Sequence, residues 1–172
     1  MKKIFLTLMV MVAAVAANAQ VWVGGSLGFQ TWSEAKGLET KTQFDIKPEV
    51  GYDLSEDWSI AIGLGYTLQS PEDSDADSKS TFTVNPYARY KFLKAGNFSL
   101  FLDGGFNFKT ADEVNDWNIS IKPGAAYAIN ENFSVVANLG DGLIYRGGDT
   151  KSQNGFDLDI ANGLSFGLYY AF

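Results

Sequence analysis

The sequence predicts an all-β fold, an eight-stranded antiparallel up-and-down transmembrane β-barrel. Three observations carry that prediction. Apolar residues alternate with small or polar ones in eight separate segments, the period of a strand whose two faces meet different surroundings. The connections alternate between short and long. On the apolar face, aromatic residues gather at the two ends of the strands and aliphatic residues lie between them, the pattern of a barrel wall between two membrane interfaces.

The first 19 residues stand apart from that pattern. Lys2 and Lys3 precede an apolar stretch from Ile4 to Ala17, and Ala17-Asn18-Ala19 is a small-x-small cleavage site. Residues 1–19 therefore read as a cleaved secretory signal peptide, and residues 20–172 as one barrel domain. Past Ala19 no apolar run approaches the ~20 residues of a spanning helix, so a membrane would have to be crossed by strands. The formal charge is −7 with 0 His and 0 Cys. Loss of the two lysines with the signal leaves −9, which argues against nucleic acid as a partner. The lack of Cys excludes a disulfide framework and a thiol-linked lipid anchor.

The strands follow in order. Val21, Val23, Leu27 and Phe29 alternate with Trp22, Gly24, Ser26 and Gln30. Phe44 to Leu54 alternate with Gln43, Asp45, Lys47, Glu49, Gly51 and Asp53. Trp58 to Leu68 oppose Ser59, Ala61, Gly63, Gly65 and Thr67, and Phe82 to Phe92 oppose Thr83, Asn85, Tyr87, Arg89 and Lys91. In the fifth segment Phe98, Leu100, Leu102, Phe106 and Phe108 oppose Ser99, Asp103, Gly105, Asn107 and Lys109, with Phe101 an exception. Trp117 to Ile129 form the sixth, opposing Asn118, Ser120, Lys122, Gly124 and Ala126. The seventh, from Phe133, is the least regular, broken at Val136 and Asp141. The eighth runs from Phe156 to Phe172, with Asn162 the one polar residue on its apolar face.

Short connections lie at Ser55-Glu56-Asp57, Lys94-Ala95-Gly96-Asn97 and Asn130-Glu131-Asn132. Longer ones cover about residues 33–41, 69–79, 110–116 and 146–155. Both chain ends then fall on the short-turn side. A hairpin unit repeats three times, as KPEVGYDLSEDWSI, NPYARYKFLKAGNFSL and KPGAAYAINENFSV, with a period of about 38 residues. Its prolines, Pro48, Pro86 and Pro123, each remove a ladder donor in mid-strand, and their matching positions predict a shared bulge or bend.

The two faces decide which side meets lipid. The polar face carries Asp45, Lys47, Glu49, Arg89, Asp103, Lys122, Asp157 and Asp159, set among Gly, Ala and Ser. Small residues suit the inside of a narrow barrel, which has just room for side chains. Ionised groups there must be paired or hydrated. This charge set is the candidate site, read either as a plug of salt bridges or as the lining of a narrow path for ions or small solutes. On the apolar face Tyr52, Trp58, Tyr90, Phe98, Tyr127 and Phe133 fall at the short-turn end, with Tyr170 and Phe172. Tyr66 and Trp117 fall at the other, with Phe29, Phe82, Phe108, Tyr145 and Phe156. A soluble exported barrel holding an apolar ligand would need these faces reversed.

The chain ends on Leu164, Phe166, Leu168, Tyr170 and Phe172 in strict alternation. With the eight segments and the exported start, this ending resembles the small outer-membrane barrels of the outer-membrane protein A and X type. More narrowly, it is similar to the porin-family and outer membrane protein beta-barrel domain proteins of Bacteroidetes. The resemblance spans residues 20–172 and implies residence in the outer membrane of a Gram-negative bacterium. It also implies that the terminal strand is read by the barrel-assembly machinery. It says little of activity, because this fold hosts many.

No motif announces chemistry. Asp73, Asp75 and Asp77 have the spacing of the first ligands of a calcium loop, but position six is Ser78 and position twelve is Val84, so that pattern fails. Without His, a hydroxyl nucleophile activated by His is ruled out. The expectation is a monomeric, non-enzymatic barrel with no catalytic, metal or cofactor residues, surrounded by outer-membrane lipid. Any surface ligand would be met through the four longer loops.

Overall fold

A computed structural model describes residues 20–32, 41–70, 79–111, 114–140, 142–149, 155–159 and 164–172. The expected signal peptide at 1–19 and the acidic stretch with Asp73, Asp75 and Asp77 lie outside them. The elements are β1 (Val21–Trp32), β2 (Lys41–Asp53), β3 (Trp58–Gln69), β4 (Lys79–Ala95) and β5 (Phe98–Ala111). They continue as β6 (Val114–Ala128), β7 (Phe133–Leu139), β8 (Gly142–Gly148), β9 (Gly155–Asp159) and β10 (Leu164–Ala171). Each of β1 to β6 pairs antiparallel with the next. β6 pairs with β7 through its later residues and with β8 through its earlier ones. β10 joins β7 to β1 and closes the wall, while β9 extends it beside β8. β7 with β8, and β9 with β10, are thus the seventh and eighth wall strands of a closed eight-strand barrel.

The short connections follow from their residues. Ser55 Oγ accepts from the Trp58 N–H at 3.1 Å. Asn130 Oδ1 accepts from the N–H groups of Asn132 and Phe133 at 2.9 and 2.8 Å. Such side-chain acceptors replace missing backbone partners in a tight turn. Gly96 turns the β4–β5 hairpin in the left-handed region, with φ +60°. The break in the seventh strand falls at Gly140-Asp141-Gly142, where both glycines are left-handed, φ +56° and +66°.

The apolar face points outward all the way round. Phe44, Ile62, Tyr66, Tyr90, Leu102, Ile121, Val135 and Leu168 are all exposed. A water-soluble barrel with these residues inside is thereby excluded. Buried instead are Trp22, Tyr87, Phe101, Val136 and Tyr169, which pack together within the lumen. Phe101 and Val136 are the residues that break the alternation of their segments.

The prolines do not share a bulge. Pro48 is in register with Gly25, Pro86 with Ile62 and Pro123 with Leu102. On the other side, facing the following strand, each ladder is interrupted. Pairing stops between Ile46 and Glu49 against β3, between Val84 and Tyr87 against β5, and between Ile121 and Gly124 against β7 and β8. The first two gaps keep their register, and the third coincides with the break in the seventh strand. What the repeat preserves is the side on which the donor is lost. The bulge in this region lies elsewhere, between Lys91 and Leu93.

Candidate functional site

Alternation along β4 turns Tyr87 and Arg89 inward, and along β5 it turns Asp103 inward, in direct register with Arg89. Arg89 Nε and Nη2 donate to Asp103 Oδ1 and Oδ2, each at 2.7 Å. The residues are only 5 and 9% exposed. A bidentate guanidinium–carboxylate pair satisfies both charges where water is scarce. The guanidinium carbon lies 3.9 Å from the centroid of the Phe101 ring, and the rings of Trp22, Tyr87 and Tyr169 stand 5.6–5.8 Å away. Aromatic faces favour a cation at such distances. Glu49, from β2, closes the group. Its Oε2 accepts from the hydroxyls of Tyr87 at 2.6 Å and Tyr169 at 2.8 Å.

The small residues of the lumen face make room for these rings. A β-carbon on Gly51 would lie 2.0 Å from Trp22 Cζ2, one on Gly124 2.3 Å from Phe101 Cζ, and one on Gly24 2.4 Å from Tyr169 Cδ1. Glycine is needed here for close approach of a ring to backbone.

Two cavities meet this group of side chains from opposite ends. One, of about 270 Å³, opens at the short-turn end and includes Trp22, Ser59, Arg89, Lys91, Val136 and Tyr169 in its lining. The other, of about 790 Å³, lies toward the longer connections and includes Lys47, Glu49, Tyr87, Asp103, Asn118 and Lys122. Above the ion pair, Asn107 donates to Asn118 Oδ1 at 2.7 Å.

The other predicted charges are spread around this centre. Asp45 accepts from Gln43 and Thr67, and Lys47 and Lys122 line the larger cavity. Asp157 is exposed and pairs with Arg146 at 2.8 Å, a cation beyond the predicted set, because β8 and β9 place the two near the long-connection end. The side chain of Asp159 lies outside the described residues. Reasoning from sequence missed Trp22, Tyr87 and Tyr169 as part of the group. The signal was present: three large aromatics on a face otherwise made mainly of small and polar residues.

The outer aromatics pack ring against ring where the strands bring them together, Trp58 on Tyr90 stacked and the pairs made by Tyr145 and Tyr170 edge-on or tilted. Trp58 and Tyr90 are 4.7 Å apart, Phe133 and Tyr170 4.9 Å, and Tyr170 and Phe172 5.0 Å, all at the short-turn end. Phe98 and Tyr127 are register partners there, and Tyr52 is exposed on the same face. At the other end Trp117 lies 5.9 Å from Tyr145, and Tyr145 4.8 Å from Phe156, while Tyr66 pairs in register with Phe82. On the terminal strand Phe166 and Leu168 point outward. The side chain of Leu164 lies outside the described residues.

An apolar wall, aromatic rings packed together at both its edges and charge held in the lumen define an integral outer-membrane β-barrel. The chain belongs to the outer membrane protein beta-barrel domain family, whose model matches residues 4–172. Among solved structures it is similar to the outer membrane protein Ail of Yersinia pestis in a phospholipid bilayer nanodisc. The identity is 13% and the TM-score 0.51, over 90% of this chain and 100% of that one. It is also similar to OmpT, an outer membrane protein of Vibrio cholerae, in its trimer form. There the identity is 13% and the TM-score 0.39, over 89% of this chain and 52% of that one. No curated protein matches the chain.

Proposed function

We propose that this is a non-enzymatic, monomeric outer-membrane barrel of a Gram-negative bacterium whose lumen is plugged, and that it acts as a structural or surface-interaction protein. The observation that carries the reading is the Arg89–Asp103 pair, enclosed by Phe101, Trp22, Tyr87 and Tyr169 and lying between the two cavities. Opening a path through it would separate a buried ion pair, which costs several kcal/mol per ion. In this reading the signal peptide directs export, the three short turns face the periplasm and the four longer connections face outward. The terminal alternation through Phe166, Leu168, Tyr170 and Phe172 is the assembly signal. Its outward Phe166 and Leu168 are in keeping with recognition by a membrane-embedded partner.

Single-channel conductance in a planar bilayer tests the plug. The barrel, with folding verified by its heat-dependent shift in SDS gels, is expected to be silent. Arg89→Ala, which removes the central cation, is expected to produce discrete steps if the variant still shows that shift. Steps from the unaltered barrel would make it a narrow pore for ions or small solutes and overturn the reading.

A further inference from the structure

The seam between the first and last wall strands is zipped only part of the way. β1 and β10 share five rungs, from Trp22↔Ala171 to Ser26↔Gly167. The next residues, Leu27 and Gly28 on one side and Phe166 and Ser165 on the other, do not pair with each other. Both strands nevertheless continue in register with their other neighbours. Leu27 and Gly28 pair with Ile46 and Asp45 on β2, and Phe166 and Ser165 with Ala137 and Asn138 on β7. The strands are therefore intact and diverge.

The larger cavity reaches this parting. Its lining includes Ser26, Leu27, Gly28, Ser165 and Phe166. Leu27 and Phe166 are at the same time outward apolar residues, 71 and 58% exposed. The lumenal cavity thus reaches the wall at the place where the two end strands cease to pair. The parting lies near the long-connection end of β1: Leu27 is two residues from Phe29, an aromatic of that end's belt, where lipid head groups meet the protein.

Two polar groups flank the parting, one on each side. Lys47, register partner of Ser26, lines the cavity and has no ion-pair partner among the described residues. Asn138, register partner of Ser165, carries a buried Oδ1 with no hydrogen-bond partner among the described residues. A buried acceptor left unmatched is costly and calls for a donor.

We propose that the parted seam is the mouth of a binding site for a single-chain anionic amphipath. Its phosphate or carboxylate head enters the cavity against Lys47, a hydroxyl beside the head donates to Asn138, and the alkyl chain leaves between Leu27 and Phe166 into the membrane. Zwitterionic bulk lipid lacks the net charge Lys47 selects, and a free anion gains nothing from the apolar lips.

The test uses the refolded barrel in phosphatidylcholine nanodiscs and 1-hexadecanoyl-glycerol-3-phosphate bearing a diazirine at the end of its chain. The expected result is saturable labelling confined to peptides holding Leu27 and Phe166. Lys47→Gln is expected to raise the half-saturating concentration about tenfold, the scale of one charge-assisted hydrogen bond, and Lys47→Arg to keep the site. Heat-dependent mobility confirms that both variants fold. Hexadecyltrimethylammonium and glycerol-3-phosphate should not compete. Labelling spread evenly over the wall and unchanged in Lys47→Gln would mean annular lipid only and would overturn the proposal. Competition by glycerol-3-phosphate alone would reduce the site to an anion site without a chain, and equal competition by the cationic amphipath would overturn the role of Lys47.

Discussion

Arg89 is the residue on which the lumen depends, and its worth differs with what replaces its partner. Arg89→Ala leaves Asp103 charged and buried beside Glu49, and breaking a buried pair in this way costs about 3–5 kcal/mol. Replacing both members, Arg89→Met with Asp103→Leu, removes the stranded charge along with the pair and should leave stability within about 1–2 kcal/mol of the original. Urea unfolding in detergent micelles, read across Arg89→Met, Asp103→Leu and the double variant, checks this. Equal losses in all three would mean that the ring cluster, and not the pairing of charge, holds the centre. The charged members of this group, Glu49, Arg89 and Asp103, were legible in the sequence because alternation puts them on the face of small residues. The partners were not. That Arg89 pairs with Asp103, and Glu49 with two tyrosine hydroxyls, depends on register between strands, which no single strand's pattern contains. The same limit explains Asp157, whose partner Arg146 comes from the neighbouring segment across a long connection.

At the scale of elements, the alternation located the wall strands well because one face meets lipid along their whole length. It was weakest where the backbone itself departs from an extended path. Pro48, Pro86 and Pro123 could be seen to interrupt a ladder, but not which neighbour would lose the bond. The break between β7 and β8 showed only as irregularity around Asp141. Its glycines make a prediction that separates conformation from space. Gly142 and Gly96 have similar angles, φ +66° and +60°, and both are strained for any residue with a β-carbon, by about 1–2 kcal/mol. Only Gly142 is also enclosed: a β-carbon there would sit 1.9 Å from the Ile121 carbonyl oxygen, while Gly96 has open space around it. Gly96→Ala should therefore cost about 1–2 kcal/mol. Gly142→Ala should cost about 1–3 kcal/mol more, the usual range for overpacking, and should loosen β8 from β6. Unfolding midpoints give the first comparison and amide exchange at Ile119 and Ile144 the second. Equal costs would show that the break yields without strain.

For the whole molecule the decisive property is which face meets the membrane, and β3 offers a compact test of it. Trp58 and Tyr66 belong to opposite belts, and Ile62 lies midway between them on the outer face, 42% exposed. Its chain neighbour Ala61 points into the lumen and packs against the buried cluster. If the wall stands in hydrocarbon, Ile62→Arg places a guanidinium near the midplane and costs about 2–4 kcal/mol. The same arginine at Trp58, at the membrane edge, should cost about 0–1 kcal/mol for its charge, apart from the lost stacking on Tyr90. Ala61→Ser adds a single uncharged hydroxyl on the lumen face, so its cost should stay near or below about 1 kcal/mol. The steep dependence on depth is what distinguishes lipid from water, since on a water-exposed face an isoleucine-to-arginine change is usually worth within about 0.5 kcal/mol at any height. Folding free energies in phospholipid vesicles would show it directly. Costs that are small and alike at Ile62 and Ala61 would contradict a wall that faces lipid, whereas a large cost at Ile62 alone would follow from the outward apolar face and the inward charge being two consequences of one alternation.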